Sequence, residues 1–193
     1  MNKEKILLVI DMNNGFTREG NMLTENLNNL VLPIKKFIIE LKKQNAKIVY
    51  YSDAHSIDDN EFKIYPVHCL KGTHESEYVD ELLGLNDYYI EKQTTNGFNS
   101  KNPFEFATSK NPDFYVVGGV TEICVKNITI SLLKYIKNNS IDSNVYVVSD
   151  LVATFDGKNN DANIRHSQAL NEMKESGAKV TSAKEILMKN CHR

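Results

Sequence analysis

The sequence predicts an α/β fold: one sheet of six mainly parallel strands with helices on both faces, a three-layer α/β/α arrangement. Three observations carry this prediction. Short apolar or β-branched runs recur along the chain, amphipathic stretches lie between several of them, and reactive polar side chains stand at or just after four of the runs. Alternating strand-like and helix-like patterns mark βα units around a parallel sheet, because right-handed crossovers return each helix to one of its faces.

The first strand is expected at residues 6–10 and leads directly to Asp11. A helix follows from about residue 32 to residue 44, with Pro33 in its first turn, where a missing N–H costs nothing, and Ile34, Phe37, Ile38 and Leu41 on one side. The second strand, at 48–51, runs into Asp53 and His55, and the polar stretch from 52 to 80 is long enough to suggest a functional excursion. The third strand, at 88–90, precedes Lys92. The fourth, at 114–117, precedes a Gly118-Gly119 turn and then Cys124, which enters the clearest helix. There Ile128, Leu132 and Ile136 fall four apart, and Val125, Thr129 and Leu133 form an adjoining row, so one face is apolar. A fifth strand at 145–148, a helix within 161–175 that ends before Gly177, and a weaker strand around Val180 complete the pattern.

In an open α/β sheet the carboxyl ends of the strands share one edge, and ligands bind in the crevice outside it. Asp11, Asp53, His55, Lys92 and Cys124 are therefore expected to converge there.

The bulk numbers narrow the class. The 193 residues, 41% of them hydrophobic, suffice for one sizeable core, and a single domain spanning 1–193 is expected. A formal net charge of -2 gives no sign of a phosphate-tracking surface or of an anionic membrane as partner. No apolar run approaches the roughly 20 residues of a bilayer crossing. A soluble, cytoplasmic protein acting on a small neutral molecule is the expectation, with homo-oligomerisation left open. Cys69, Cys124 and Cys191 cannot all pair with one another and lack zinc-ribbon spacing, so free thiols in a reducing compartment are expected.

Of the three, only Cys124 has a setting suited to chemistry. A thiol at a helix N-terminus feels the positive end of the helix dipole, which favours the nucleophilic thiolate, and the nearby N–H groups can hold an oxyanion. Such a nucleophile needs a cation and a proton carrier nearby, and Lys92 and Asp11 are the candidates. Taken singly, Lys92 reads equally as a surface lysine and Asp11 as a turn cap. Asp53, His55, Glu61 and His68 form a second group of oxygen and imidazole donors, able to ligate one ion and leave positions open. His74, His166 and His192 fall outside that pattern and are expected to be solvated.

Three segments, LLVIDMNNGF with Asp11 and Phe16, IEKQTTNGF with Lys92, and GGVTEICV with Cys124, make the chain resemble the isochorismatase-like cysteine hydrolases over nearly its whole length. The resemblance implies a Rossmann-like fold and an Asp11, Lys92, Cys124 catalytic group. It also implies a cis peptide joining Gly119 to Val120 and an oxyanion hole made by the N–H groups of Val120 and Cys124. The segment Pro66-Val67-His68-Cys69-Leu70-Lys71-Gly72-Thr73, together with Asp53-x-His55, is similar to the metal site of the nicotinamidases. This branch implies one divalent ion, zinc ahead of iron or manganese, on Asp53, His55 and His68, with Glu61 as a direct or water-mediated ligand. It also implies hydrolysis of nicotinamide to nicotinate and ammonia through a thioester. Phe16 and Tyr65 would wall the substrate pocket. Two positions depart from the branch: Tyr65 stands where a tryptophan is common, and Gly15 stands where many members carry an acidic residue. The alternatives are a hydrolase of the same fold acting on a ureido or carbamoyl compound, and a catalytically silent binding protein.

Overall fold

The computed structural model describes residues 3–157 and 161–191. Six parallel strands form one sheet: β1 (Lys5–Ile10), β2 (Lys47–Asp53), β3 (Tyr88–Lys92), β4 (Asp113–Gly119), β5 (Val145–Ala153) and β6 (Lys179–Thr181). Their spatial order is β3-β2-β1-β4-β5-β6. The winding reverses between β1 and β4, and that reversal opens the crevice in which a doubly wound sheet binds its ligand.

Side chains alternate across each strand, so β1 feeds two cores. Leu7 and Val9 pack with Val31, Ile34, Phe37, Ile38 and Leu41 of helix α1 (Val31–Lys42) on one face. Ile6, Leu8 and Ile10 pack with Val125, Ile128, Leu132 and Ile136 on the other, where helix α2 (Lys126–Asn138) lies. Helix α3 (Ala162–Glu175) joins this second face through Met173, and α4 (Ala183–Cys191) joins the first through Ile186. The two apolar rows read from the sequence on the helix after Cys124 are therefore its sheet-facing side, Leu133 being only partly buried.

α1 starts and stops close to the expected bounds. α3 is capped by Asp161, whose carboxylate accepts the N–H groups of Asn163 and Ile164. Among the described residues no helix is long and apolar enough to cross a membrane.

One glycine fixes how closely β1 and β4 approach. Gly118 has φ +105°, and a Cβ there would lie 2.1 Å from the Ile10 carbonyl oxygen. Only glycine satisfies both conditions. The strand ends that carry Asp11 and the Cys124 turn are thereby brought side by side.

Candidate active site

Register explains the centre of the site. Asp53 and Lys92 are the last residues of β2 and β3 and stand directly opposite each other in the parallel pairing. Asp11 follows β1 with φ 50°, in the left-handed region that aspartate visits more readily than most residues, and its N–H is bonded to the Tyr51 carbonyl at 2.9 Å. Cys124 lies in a wide helical turn, Thr121–Val125, in which the Val125 N–H reaches back five residues to the Val120 carbonyl. The peptide between Gly119 and Val120 is cis.

These residues meet. Lys92 Nζ is 2.9 Å from Asp11 Oδ2, 3.7 Å from Cys124 Sγ and in direct contact with Asp53 Oδ1. All four side chains are buried, Lys92 wholly so. Burial alone would strip the Lys92 charge, but the carboxylates of Asp11 and Asp53 override it and keep the amine protonated. Burial likewise works against an ionised Asp53, yet the Lys92 charge and the nearby imidazoles of His55 and His68 hold it below the usual carboxylate range. Asp11 goes the other way: burial and the Asp53 charge raise it to about 7 against the pull of Lys92. No described donor makes a well-angled hydrogen bond to its Oδ1. Burial pushes the Cys124 thiol well up, the Lys92 charge offsets this only in part, and the charges of Asp11 and Asp53 add to the rise. The resting sulfur is thus a thiol beside the less basic carboxylate of Asp11, not the thiolate that helix placement alone suggests.

The second group assembles from the polar excursion. Its chain folds back so that His55 and Leu70 form a parallel bridge, with the His55 N–H on the Cys69 carbonyl at 3.0 Å and the Lys71 N–H on the His55 carbonyl at 2.9 Å. That bridge sets His68 beside His55, ring centroids 4.7 Å apart. His55 Nε2 and His68 Nε2 lie 3.5 and 3.6 Å from Asp53 Oδ2. Potential ligand atoms of Asp53, His55 and His68 fall within 4.8 Å of one another. The far nitrogens are fixed elsewhere: His55 Nδ1 on Asp59 Oδ2 at 2.8 Å, His68 Nδ1 on the Pro66 carbonyl at 2.7 Å. Hydrogen bonds on the far nitrogens fix each ring so that Nε2 can meet a metal, and His55 Nε2, buried, finds no hydrogen-bond partner among the described residues. The donor set therefore fits one divalent ion. Glu61 stands apart from the tight trio, with Oε2 3.8 Å from His55 Nε2.

Between the two groups opens a cleft lined by Asp11, Cys124, Asp53, His68 and Glu61 and walled by Phe16, Tyr65, Met22, Thr95, Val120 and Ile123. Phe16 also packs on the His68 ring at 5.5 Å.

Several contributors were not legible beforehand. Asp59 and Phe62, which packs on both imidazoles at 5.3 and 5.7 Å, come from a loop with no periodicity to read. The only available signal was the spacing of Asp59 four residues after His55. Gly15 is explained by its neighbours: a Cβ there would lie 2.7 Å from Cys69 Sγ and 3.2 Å from Glu75, so no acidic side chain fits. His166, expected to be solvated, is half-buried, with Nδ1 3.1 Å from the Thr121 hydroxyl, because α3 packs on the Cys124 turn. His74 is exposed and paired with Glu19. Cys69 is buried and burial raises its thiol. His192 and the side chain of Cys191 lie outside the described residues.

The fold is shared with solved structures of known hydrolases. N-carbamoylsarcosine amidase from Thermoplasma acidophilum superposes with a TM-score of 0.74 at 26% identity, covering 93% of this chain and 96% of that one. The pyrazinamidase of Pyrococcus horikoshii, solved in complex with zinc, gives 0.77 at 24% identity, covering 93% and 99%. Among curated proteins, nicotinamidase 1 of Arabidopsis thaliana is 30% identical over 171 residues, covering 78% of this chain and 69% of that relative. The isochorismatase domain model matches residues 5–185, essentially the whole sheet with its helices, and the chain belongs to the family of isochorismatase-like hydrolases.

Proposed function

We propose that this protein is a metal-assisted cysteine amidase that converts nicotinamide to nicotinate and ammonia through a thioester on Cys124. The observation that supports this reading most is the position of Asp53, one carboxylate shared by the Lys92 cluster and by the two imidazoles. A nucleophile and a metal-ligating set then face one small cleft. A scaffold protein needs neither.

The chain's own residues account for the chemistry. Asp11, raised to about 7, takes the Cys124 proton as the sulfur attacks the carboxamide carbon. Lys92 stays cationic and compensates the charge that forms. The N–H groups of Val120 and Cys124 hold the oxyanion of the tetrahedral intermediate. Asp11 passes the proton to the departing nitrogen, the C–N bond breaks, and ammonia leaves a thioester behind. Water then attacks the thioester with Asp11 as base, and the proton it gives up returns to sulfur as nicotinate departs. Phe16 and Tyr65 flank the ring. Asp53, His55 and His68, with Glu61 direct or through water, would hold a divalent ion, which would supply a Lewis-acid anchor for the ring nitrogen. Zinc is the ion we favour, and iron and manganese suit the same donors.

A ureido or carbamoyl substrate is the second reading, favoured by Tyr65 in place of a tryptophan and by the likeness to an N-carbamoylsarcosine amidase. Ammonia release from a panel of nicotinamide, pyrazinamide and N-carbamoyl amino acids, with and without a chelator, separates the two. Turnover of nicotinamide that stops on chelation and returns with zinc is the expected result. Turnover of carbamoyl compounds alone, indifferent to chelation, would replace both the substrate and the role of the metal.

A further inference from the structure

We infer that Asp59 is a positioning residue that builds the metal site by holding two of its ligands at once; this rests on the proposed metal site. Its side chain is only 8% exposed, and its two oxygens do different work. Oδ2 lies 2.8 Å from His55 Nδ1. Oδ1 accepts the Glu61 N–H at 2.9 Å and caps the short turn Asn60–Lys63 that carries Glu61. A carboxylate only accepts, so the proton of a ligating His55 sits on Nδ1 and the lone pair of Nε2 is left free for an ion. His68 has no such partner, since its Nδ1 meets a neutral backbone carbonyl. The two imidazoles are thus unequal, and His55 is the one made the stronger donor by a negative neighbour.

Two acceptor oxygens are required, which makes Asp59→Asn decisive. Whichever way the amide turns, its NH2 group replaces an acceptor. Facing His55 it would place a donor against Nδ1 and move the ring proton to Nε2, where it blocks ligation. Facing Glu61 it would break the cap. The neighbouring Asp58 is exposed, and Asp58→Asn removes the same charge from the loop without touching either ligand.

The test is metal affinity, measured on the full chain by competition with a chromogenic chelator for zinc, together with the visible spectrum of the cobalt-loaded protein. Asp59→Asn should weaken zinc about 10- to 100-fold and alter the cobalt bands. Asp58→Asn should change neither. Should the wild type bind zinc and Asp59→Asn bind it within about twofold with an unchanged cobalt spectrum, the inference fails while the proposed function stands. If Asp58→Asn weakens zinc as much, loop charge and not ligand positioning is responsible, and the inference fails again. A wild type that binds no zinc or cobalt removes the inference and the metal part of the proposed function together. Thermal melts of the metal-free variants distinguish a local change from loss of the fold, and Asp59→Glu, which keeps two acceptors, should recover affinity relative to Asp59→Asn.

Discussion

Asp53 gives Oδ1 to the Lys92 ammonium while its Oδ2 lies 3.5 Å from His55 Nε2 and 3.6 Å from His68 Nε2. Lys92 is thus the described counter-cation of two buried carboxylates, Asp11 and Asp53. Lys92→Met keeps the length and deletes the charge. Removing one partner from a buried ion cluster costs about 3–5 kcal/mol, since the remaining charges stay desolvated. Urea unfolding in the presence of a chelator should show a loss of this size. Saturating zinc should reduce it, because a cation beside Asp53 replaces part of what Lys92 supplied. An unchanged midpoint would contradict the electrostatic account of the site.

Cys124→Ala should bind nicotinamide and release no ammonia, and Cys124→Ser should be severely slowed, because a serine hydroxyl is far harder to deprotonate than a thiol. Rapid quenching of the native protein with a slow amide substrate should trap an acyl adduct on Cys124, read by intact-mass and peptide-mass spectrometry. Wild-type turnover by Cys124→Ala on any amide the native protein cleaves would show that the nucleophile lies elsewhere.

The pH profile follows from Asp11. Burial and the Asp53 charge raise it to about 7 against the pull of Lys92, and the proposed chemistry needs its unprotonated form. Activity is therefore present above the Asp11 pKa and lost as the pH falls through it, so kcat/KM should decline below about pH 7. Charge placed on Asp53 by a bound divalent ion weakens one of the two causes of the rise. The acid limb of the metal-loaded enzyme should then sit at or below that value. Asp11→Asn should abolish turnover at every pH. A profile flat from about pH 5 to about pH 8 would exclude Asp11 as the base.

How much of this was legible in the sequence depended on whether position or fold-back carried the information. Asp11, Asp53, Lys92 and Cys124 could be placed on one sheet edge because each stands at or just past a recognisable strand, and strand ends of a parallel sheet share that edge. Periodicity gave the packed face of α2, since Ile128, Leu132 and Ile136 face the sheet whatever precedes them. The loop after β2 has no such regularity. His68 joins His55 through a bridge at Leu70, Asp59 reaches back to His55, and Glu75 fills the space beside Gly15, all contacts between residues whose spacing signals nothing. The protonation states were equally hidden. A helix N-terminus suggests a thiolate, but burial and two nearby carboxylates push the thiol up against the pull of Lys92, and neither can be counted before the chain is folded.

Gly118 links fold and chemistry, and Gly118→Ala tests the link. The residue pairs with Ile10 at the end of the β1–β4 ladder, immediately before Asp11 on one strand and shortly before the Cys124 turn on the other. Alanine meets two obstacles there. The backbone sits at φ +105°, where an L side chain is strained, and the new Cβ would lie 2.1 Å from the Ile10 carbonyl oxygen. Backbone strain and overpacking each cost about 1–3 kcal/mol, so a total loss of about 2–6 kcal/mol is expected in urea unfolding. The clash is with main chain and no rotamer relieves it, so the strands must part at the point where Asp11 faces Cys124. Activity should fall further than the folded fraction explains, because a shift of about 1 Å in a catalytic pair costs on the order of a hundredfold. The metal trio hangs from β2 and its loop, so zinc affinity in the folded fraction should stay close to that of the wild type. A variant that loses zinc affinity in step with activity would show that the β1–β4 contact supports the whole edge of the sheet and not the catalytic pair in particular.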